Sequence, residues 1–80
     1  MNLNSFENHL FEEGGVKYTR NEEYAEEIGY IKVNYSCIYF NGAKWEDNIM
    51  QSWVYVRSEK DAIYLLNYWN SKNSNYKYWV

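Results

Sequence analysis

From Tyr30 to Phe40 the side chains alternate, with Ile31, Val33, Tyr35, Cys37 and Tyr39 on one side and Tyr30, Lys32, Asn34, Ser36 and Ile38 on the other. A repeat of two is the signature of a β-strand, and this segment carries it over the longest stretch of the chain. Val16-Lys17-Tyr18-Thr19-Arg20 repeats the pattern over a shorter length and is predicted as a first strand. Asn41-Gly42, a pair that tolerates positive φ, follows the long strand and predicts a reversal returning through residues 49–57. Glu46-Asp47-Asn48 is itself turn-like, so the connection reads as a long loop with Trp45 standing on it.

Helical spacing marks three other segments. Ala62, Leu65, Leu66 and Trp69 share one face behind an N-cap at Ser58 with Asp61 three residues on, which predicts a helix to about residue 70. Leu3, Phe6 and Leu10 recur behind Asn4 and Glu7, predicting a helix over residues 5–13 that Gly14-Gly15 stops. Residues 21–28 stay open between a two-turn helix capped by Asn21 and ended by Gly29, and a loop. After the polar break at residues 70–75, Tyr76-Lys77-Tyr78-Trp79-Val80 has the composition of a last strand. The expected class is α+β: a small antiparallel sheet of three to four strands with two main helices, in the order α-β-β-β-α-(β). At 80 residues, positions 1–80 are read as one domain.

Composition alters this picture in one respect. Seventeen residues are aromatic (10 Tyr, 4 Trp, 3 Phe) and proline is absent, so rings must supply much of the core. Tyr and Trp bury a large area while keeping one polar atom that needs a partner, which suits a recognition surface as well as a core. Tyr35, Tyr39, Trp53 and Tyr55 are candidates for one stacking platform for bases, yet Lys32 and Arg57 are the only cations in those strands, which favours a core role and disfavours direct nucleic-acid binding.

Charge is unevenly placed within a net −3. Residues 1–27 hold seven glutamates against Lys17 and Arg20, a balance of −5, whereas residues 28–80 balance at +2. Glu22, Glu23, Glu26 and Glu27 form two like-charge i, i+4 pairs if helical, each destabilising by roughly 0.2–0.5 kcal/mol. Such a row either solvates the surface or imitates phosphates toward a Lys/Arg groove. Tyr24 within that row, and Trp45 beside Glu46 and Asp47, are the candidate anchors, with a Trp folded onto the core as the rival reading for Trp45.

Catalytic and metal signals are missing from the chain. His9 and Cys37 lie in different segments with no spacing motif between them, so no metal site and no cofactor is expected, and an enzyme is not. His9 reads as a helix-surface partner of Glu12 or Glu13, and Cys37 as a small inward apolar side chain. A lone cysteine forms no internal disulfide, and no apolar stretch approaches the ~20 residues of a membrane span, so a cytoplasmic protein is expected.

The start Met1-Asn2-Leu3-Asn4, the hairpin around Asn41-Gly42 and the Ser58–Trp69 helix, with the acidity and the Asn and Tyr richness, give residues 2–70 an organisation that resembles small phage-encoded inhibitors of host defence, in particular anti-CRISPR proteins. That resemblance implies binding to a host nuclease complex, commonly in its nucleic-acid groove. The expected function is therefore a non-enzymatic inhibitor of a phage or mobile element, with Glu22, Glu23, Tyr24, Glu26, Glu27, Trp45, Glu46 and Asp47 meeting a basic groove in the host cytoplasm. Two alternatives stand beside it. Helix, three strands, helix is also the order of double-stranded RNA-binding domains, although Ser58-Glu59-Lys60-Asp61 lacks their Lys-rich stretch. The other is a structural subunit whose excess rings pack against a copy of itself, as a homo-dimer.

Overall fold

The structure is a computed structural model, and it describes residues 9–80. Its elements in chain order are β1 (Phe11–Glu13), β2 (Val16–Thr19), α1 (Glu22–Ile28), β3 (Ile31–Tyr39), β4 (Met50–Val56), α2 (Glu59–Lys72) and β5 (Tyr76–Trp79). The strands form a five-stranded antiparallel sheet in the order β1-β2-β4-β3-β5. The α+β class is as expected, but the sheet gains a strand and the order of elements differs.

The difference begins at the amino end. The expected helix over 5–13 does not exist where the structure describes it: Phe11–Glu13 is a strand, paired Phe11 to Tyr18 and Glu13 to Val16. The Asn4 cap and Glu7 lie outside the described residues. Gly14-Gly15 is not a helix stop but the two-residue turn of a hairpin, with φ of +60° and +82°. Apolar spacing over so few residues could not distinguish these outcomes, since a glycine pair serves both.

Residues 21–28, open in sequence, resolve as a helix. Asn21 Oδ1 accepts from the Tyr24 N–H at 2.7 Å, and Gly29 closes α1 in the left-handed conformation with its N–H toward Ala25 and Glu26 carbonyls. Ser58 caps α2 in the same manner, its Oγ accepting from the Asp61 N–H at 3.3 Å.

Topology places the two helices on opposite faces. β2 and β3 run parallel with β4 between them, joined through α1, while β4 and β5 run parallel with β3 between them, joined through α2. Both crossovers step across the sheet in one direction, from strands of opposite sense. A common right-handed rule therefore sends their helices to opposite sides.

The α2 side holds the main core. Val16, Tyr18, Val33, Tyr35, Cys37, Val54 and Val56 of the sheet meet Ala62, Leu65, Leu66 and Trp69 of the helix. Leu65, Val54 and Val56 are fully buried, each stabilising by about 1.5–3 kcal/mol. The other side is covered in one place, where Thr19 and Tyr55, paired across β2 and β4, are buried together with Ala25 of α1.

Candidate functional site

Ala25 is the side chain by which α1 is seated, which turns Glu22, Glu23, Glu26 and Glu27 to solvent. Glu22 and Glu23 suit the positive end of the helix dipole; Glu26 and Glu27 fall in its last turn, where no basic residue answers them. Among the described residues no ion pair involves any of the four, the ion pair found being Arg57 to Asp61 at 4.0 Å. Tyr55, beneath the helix, has its phenol pKa raised first by burial and then by the charges of Glu22 and Glu26. Their field is therefore felt on the sheet below. Tyr24 is half-buried, its ring 6.0 Å from that of His9. His9 is thus not on a helix with Glu12 and Glu13, since both glutamates are in β1.

The other half of the expected site lies elsewhere. Trp45 bridges to Phe40, just beyond the far end of β3 from α1. Eight residues of extended chain separate Phe40 from Lys32, the neighbour of Tyr55, which is roughly 25 Å of strand rise. The two acidic groups therefore do not form one patch. Trp45 also does not stand out from its loop: it is half-buried, its ring 5.2 Å from Phe40, with the Lys77 ammonium 4.7 Å over its face. Asn41 organises the loop, its Oδ1 accepting from the N–H groups of Ala43 and Lys44 and its Nδ2 donating to Glu46 at 2.6 Å. Asp47 is exposed.

The aromatic platform is divided by the pleat. Tyr35 and Tyr39 share the α2 side with Val33, whereas Trp53 and Tyr55 lie on the α1 side opposite Asn34 and Lys32. Trp53, 45% exposed, carries the Lys32 ammonium 5.2 Å above its ring. Trp53 is one of two exposed tryptophans on the face that bears the glutamates, the other being Trp79 of β5, which pairs with Ser36.

Sequence reasoning missed a second cluster, on the α2 side. Glu13 accepts from the Tyr18 hydroxyl at 2.6 Å and from Trp69 Nε1 at 2.8 Å. Arg20 donates to the Tyr35 hydroxyl at 3.0 Å and to the Trp53 carbonyl at 2.7 Å, its guanidinium 5.6 Å from the Trp69 ring centroid. Glu13, Tyr18, Arg20, Tyr35, Trp69 and Tyr78 line an open cleft of about 290 Å³. Burial, then the hydrogen bond to Glu13, raises the Tyr18 pKa, and burial pushes Tyr78 up to about 12. Each oxygen of Glu13 is taken by a donor of the fold, which makes it an acceptor for two buried rings. Inward Tyr18, Tyr35 and Trp69 were legible as pattern; Glu13, assigned to a helix, was not.

Cys37 is buried and its thiol pKa is raised by that burial. Among the described residues, no three of His, Cys, Asp and Glu gather as a metal site, and no helix is long and apolar enough to cross a membrane. Comparison with protein-family models, curated proteins and solved structures finds no match to this chain.

Proposed function

We propose that the protein works without chemistry, as a stoichiometric binding protein that offers the α1 carboxylates to a basic groove on another macromolecule. The observation that carries this reading is the row Glu22, Glu23, Glu26 and Glu27, exposed on a helix seated on the sheet, with no cation of the described residues paired to it. A like-charged row that folding alone does not require gains free energy only when an opposite charge arrives. Tyr24 within α1 and Trp53 beside it supply the apolar contact that gives such a site affinity as well as attraction. The anchor role expected for Trp45 passes to Trp53, because Trp45 is held by Phe40 and Lys77.

The partner class most in keeping with this chemistry is a nucleic-acid-binding protein such as a host defence nuclease, met in the host cytoplasm, to which the resemblance to anti-CRISPR proteins also points. Nucleic acid itself is a poor ligand for the same face, since α1 would set its carboxylates against phosphates.

Pull-down from the natural host, repeated with rising salt, tests the proposal. The retained species should be lost steeply as salt increases and should be absent with Glu22/Glu23/Glu26/Glu27→Gln, while circular dichroism shows that variant folded. Equal capture by the variant would end the electrostatic reading.

A further inference from the structure

The end of the sheet farthest from α1 carries a cleft that the acidic row does not reach. Tyr39, Glu46, Asn48, Met50 and Tyr76 line this open space of about 400 Å³. Register puts it on the α2 side, since Met50 pairs with Cys37 and Tyr76 with Tyr39, and both partners alternate in step with buried Val33 and Tyr35. Glu46 joins that face from the loop. Its N–H donates to the Tyr39 carbonyl at 2.8 Å, beside the bridge of Phe40 to Trp45, and its Oε2 is held by the 2.6 Å bond from Asn41 Nδ2.

Charge and rings together define what fits. Glu46 is the charged side chain of the five, and among the described residues no cation pairs with it and no donor reaches its Oε1. Lys77, next to Tyr76 in the chain, turns to the opposite face and sits over Trp45. The rings of Tyr39 and Tyr76 lie 5.1 Å apart and 48° to each other, so two π-systems are inclined together beside a carboxylate. A ring face attracts a cation within about 6 Å, the carboxylate adds Coulomb attraction, and Met50 offers polarizable surface to an alkyl stem. An anion would be repelled by Glu46. With one carboxylate oxygen already taken by Asn41, a single acceptor is left, which suits a point-like ammonium better than the two-pronged guanidinium of arginine. Small ligands held by themselves have roughly 70–90% of their surface buried, which so open a cleft does not offer. A side chain presented by a protein surface is held by the rest of its interface as well.

We infer that this cleft receives a lysine side chain of a partner protein, with the ammonium between Glu46 and the rings of Tyr39 and Tyr76 and the stem against Met50. The α1 carboxylates play no part in it, since they lie on the opposite face and toward the other end of β3. NMR titration of the whole chain with the capped peptide acetyl-Gly-Lys-Gly-amide tests the assignment, with norleucine or arginine in place of the lysine, and free choline, as comparisons. The ring signals of Tyr39 and Tyr76 and the Met50 methyl should shift with the lysine peptide in the millimolar range and stay in place with the norleucine peptide. Glu46→Gln, which keeps an acceptor for Asn41, and Tyr39→Leu should each weaken binding by about two- to fivefold. At physiological salt Glu22/Glu23/Glu26/Glu27→Gln should bind the lysine peptide as the parent chain does. Equal shifts from the norleucine peptide overturn the inference, as do unchanged binding by a folded Glu46→Gln variant, loss of binding in the α1 variant, or tighter binding of the arginine peptide or of choline.

Discussion

Glu13 shows how one side chain can decide a small aromatic core. Tyr18 and Trp69 each bring a polar atom inward, and both are answered by the same carboxylate. Glu13→Ala leaves two donors without an acceptor and should lower stability by about 2–4 kcal/mol, whereas Glu13→Gln, which keeps one acceptor, should cost about half as much. Urea unfolding of the two variants measures the difference. Tyr78 makes a second prediction, in pH. Its phenol ionises at 10.0 when unfolded and at about 12 when folded, held up mainly by burial. The folded state thus keeps a proton that the unfolded chain loses, so its contribution is intact below pH 10 and is lost as pH rises toward 12. Tyr78→Phe should flatten that part of the alkaline stability curve. Tyr55 reports the acidic ridge directly: phenolate titration of Glu22/Glu26→Gln should move its pKa downward, toward the ordinary value.

Among the elements, the β1–β2 hairpin depends most on glycine. A Cβ built on Gly14 would stand 2.5 Å from Tyr68 Cγ and 2.9 Å from its Cβ, whereas one on Gly15 meets nothing within 4 Å. Both positions have positive φ, so alanine strains either backbone by about 1 kcal/mol. Gly14→Ala should cost a further 1–3 kcal/mol or so, because Tyr68 is pushed at the root of its side chain rather than at a flexible tip. Thermal unfolding of the pair separates the two effects. The long strand, the capped α2 and the closing strand were legible from period and cap residues alone. β1 was not, since Phe-Glu-Glu has no alternation to betray a strand, and its pairing with residues 16–18 creates it.

At the scale of the whole molecule, charge and topology act together. Glu22/Glu23/Glu26/Glu27→Gln changes the net charge from −3 to +1 and relieves two like-charge pairs on α1. Relief of those pairs is offset by the lost attraction of Glu22 and Glu23 to the helix N-terminus, so stability should change by no more than about 1 kcal/mol. A larger loss on calorimetry would show that the glutamates serve the fold instead of a partner. Only part of the candidate site was visible in the chain. The acidic row was plain in sequence, but its distance from Trp45, Glu46 and Asp47 follows from the length of β3, which separates segments that look close when counted along the chain.

The sequence alone determined the α+β class, the main strands, the capped α2 helix and an acidic first third, because these depend on neighbours within a few residues. Tertiary structure alone decided which face α1 covers, that Trp45 folds back, and that Glu13 meets Trp69, far along the chain, as well as nearby Tyr18. Those outcomes depend on which strands lie side by side, and strand order is a choice among long-range pairings that no local period records.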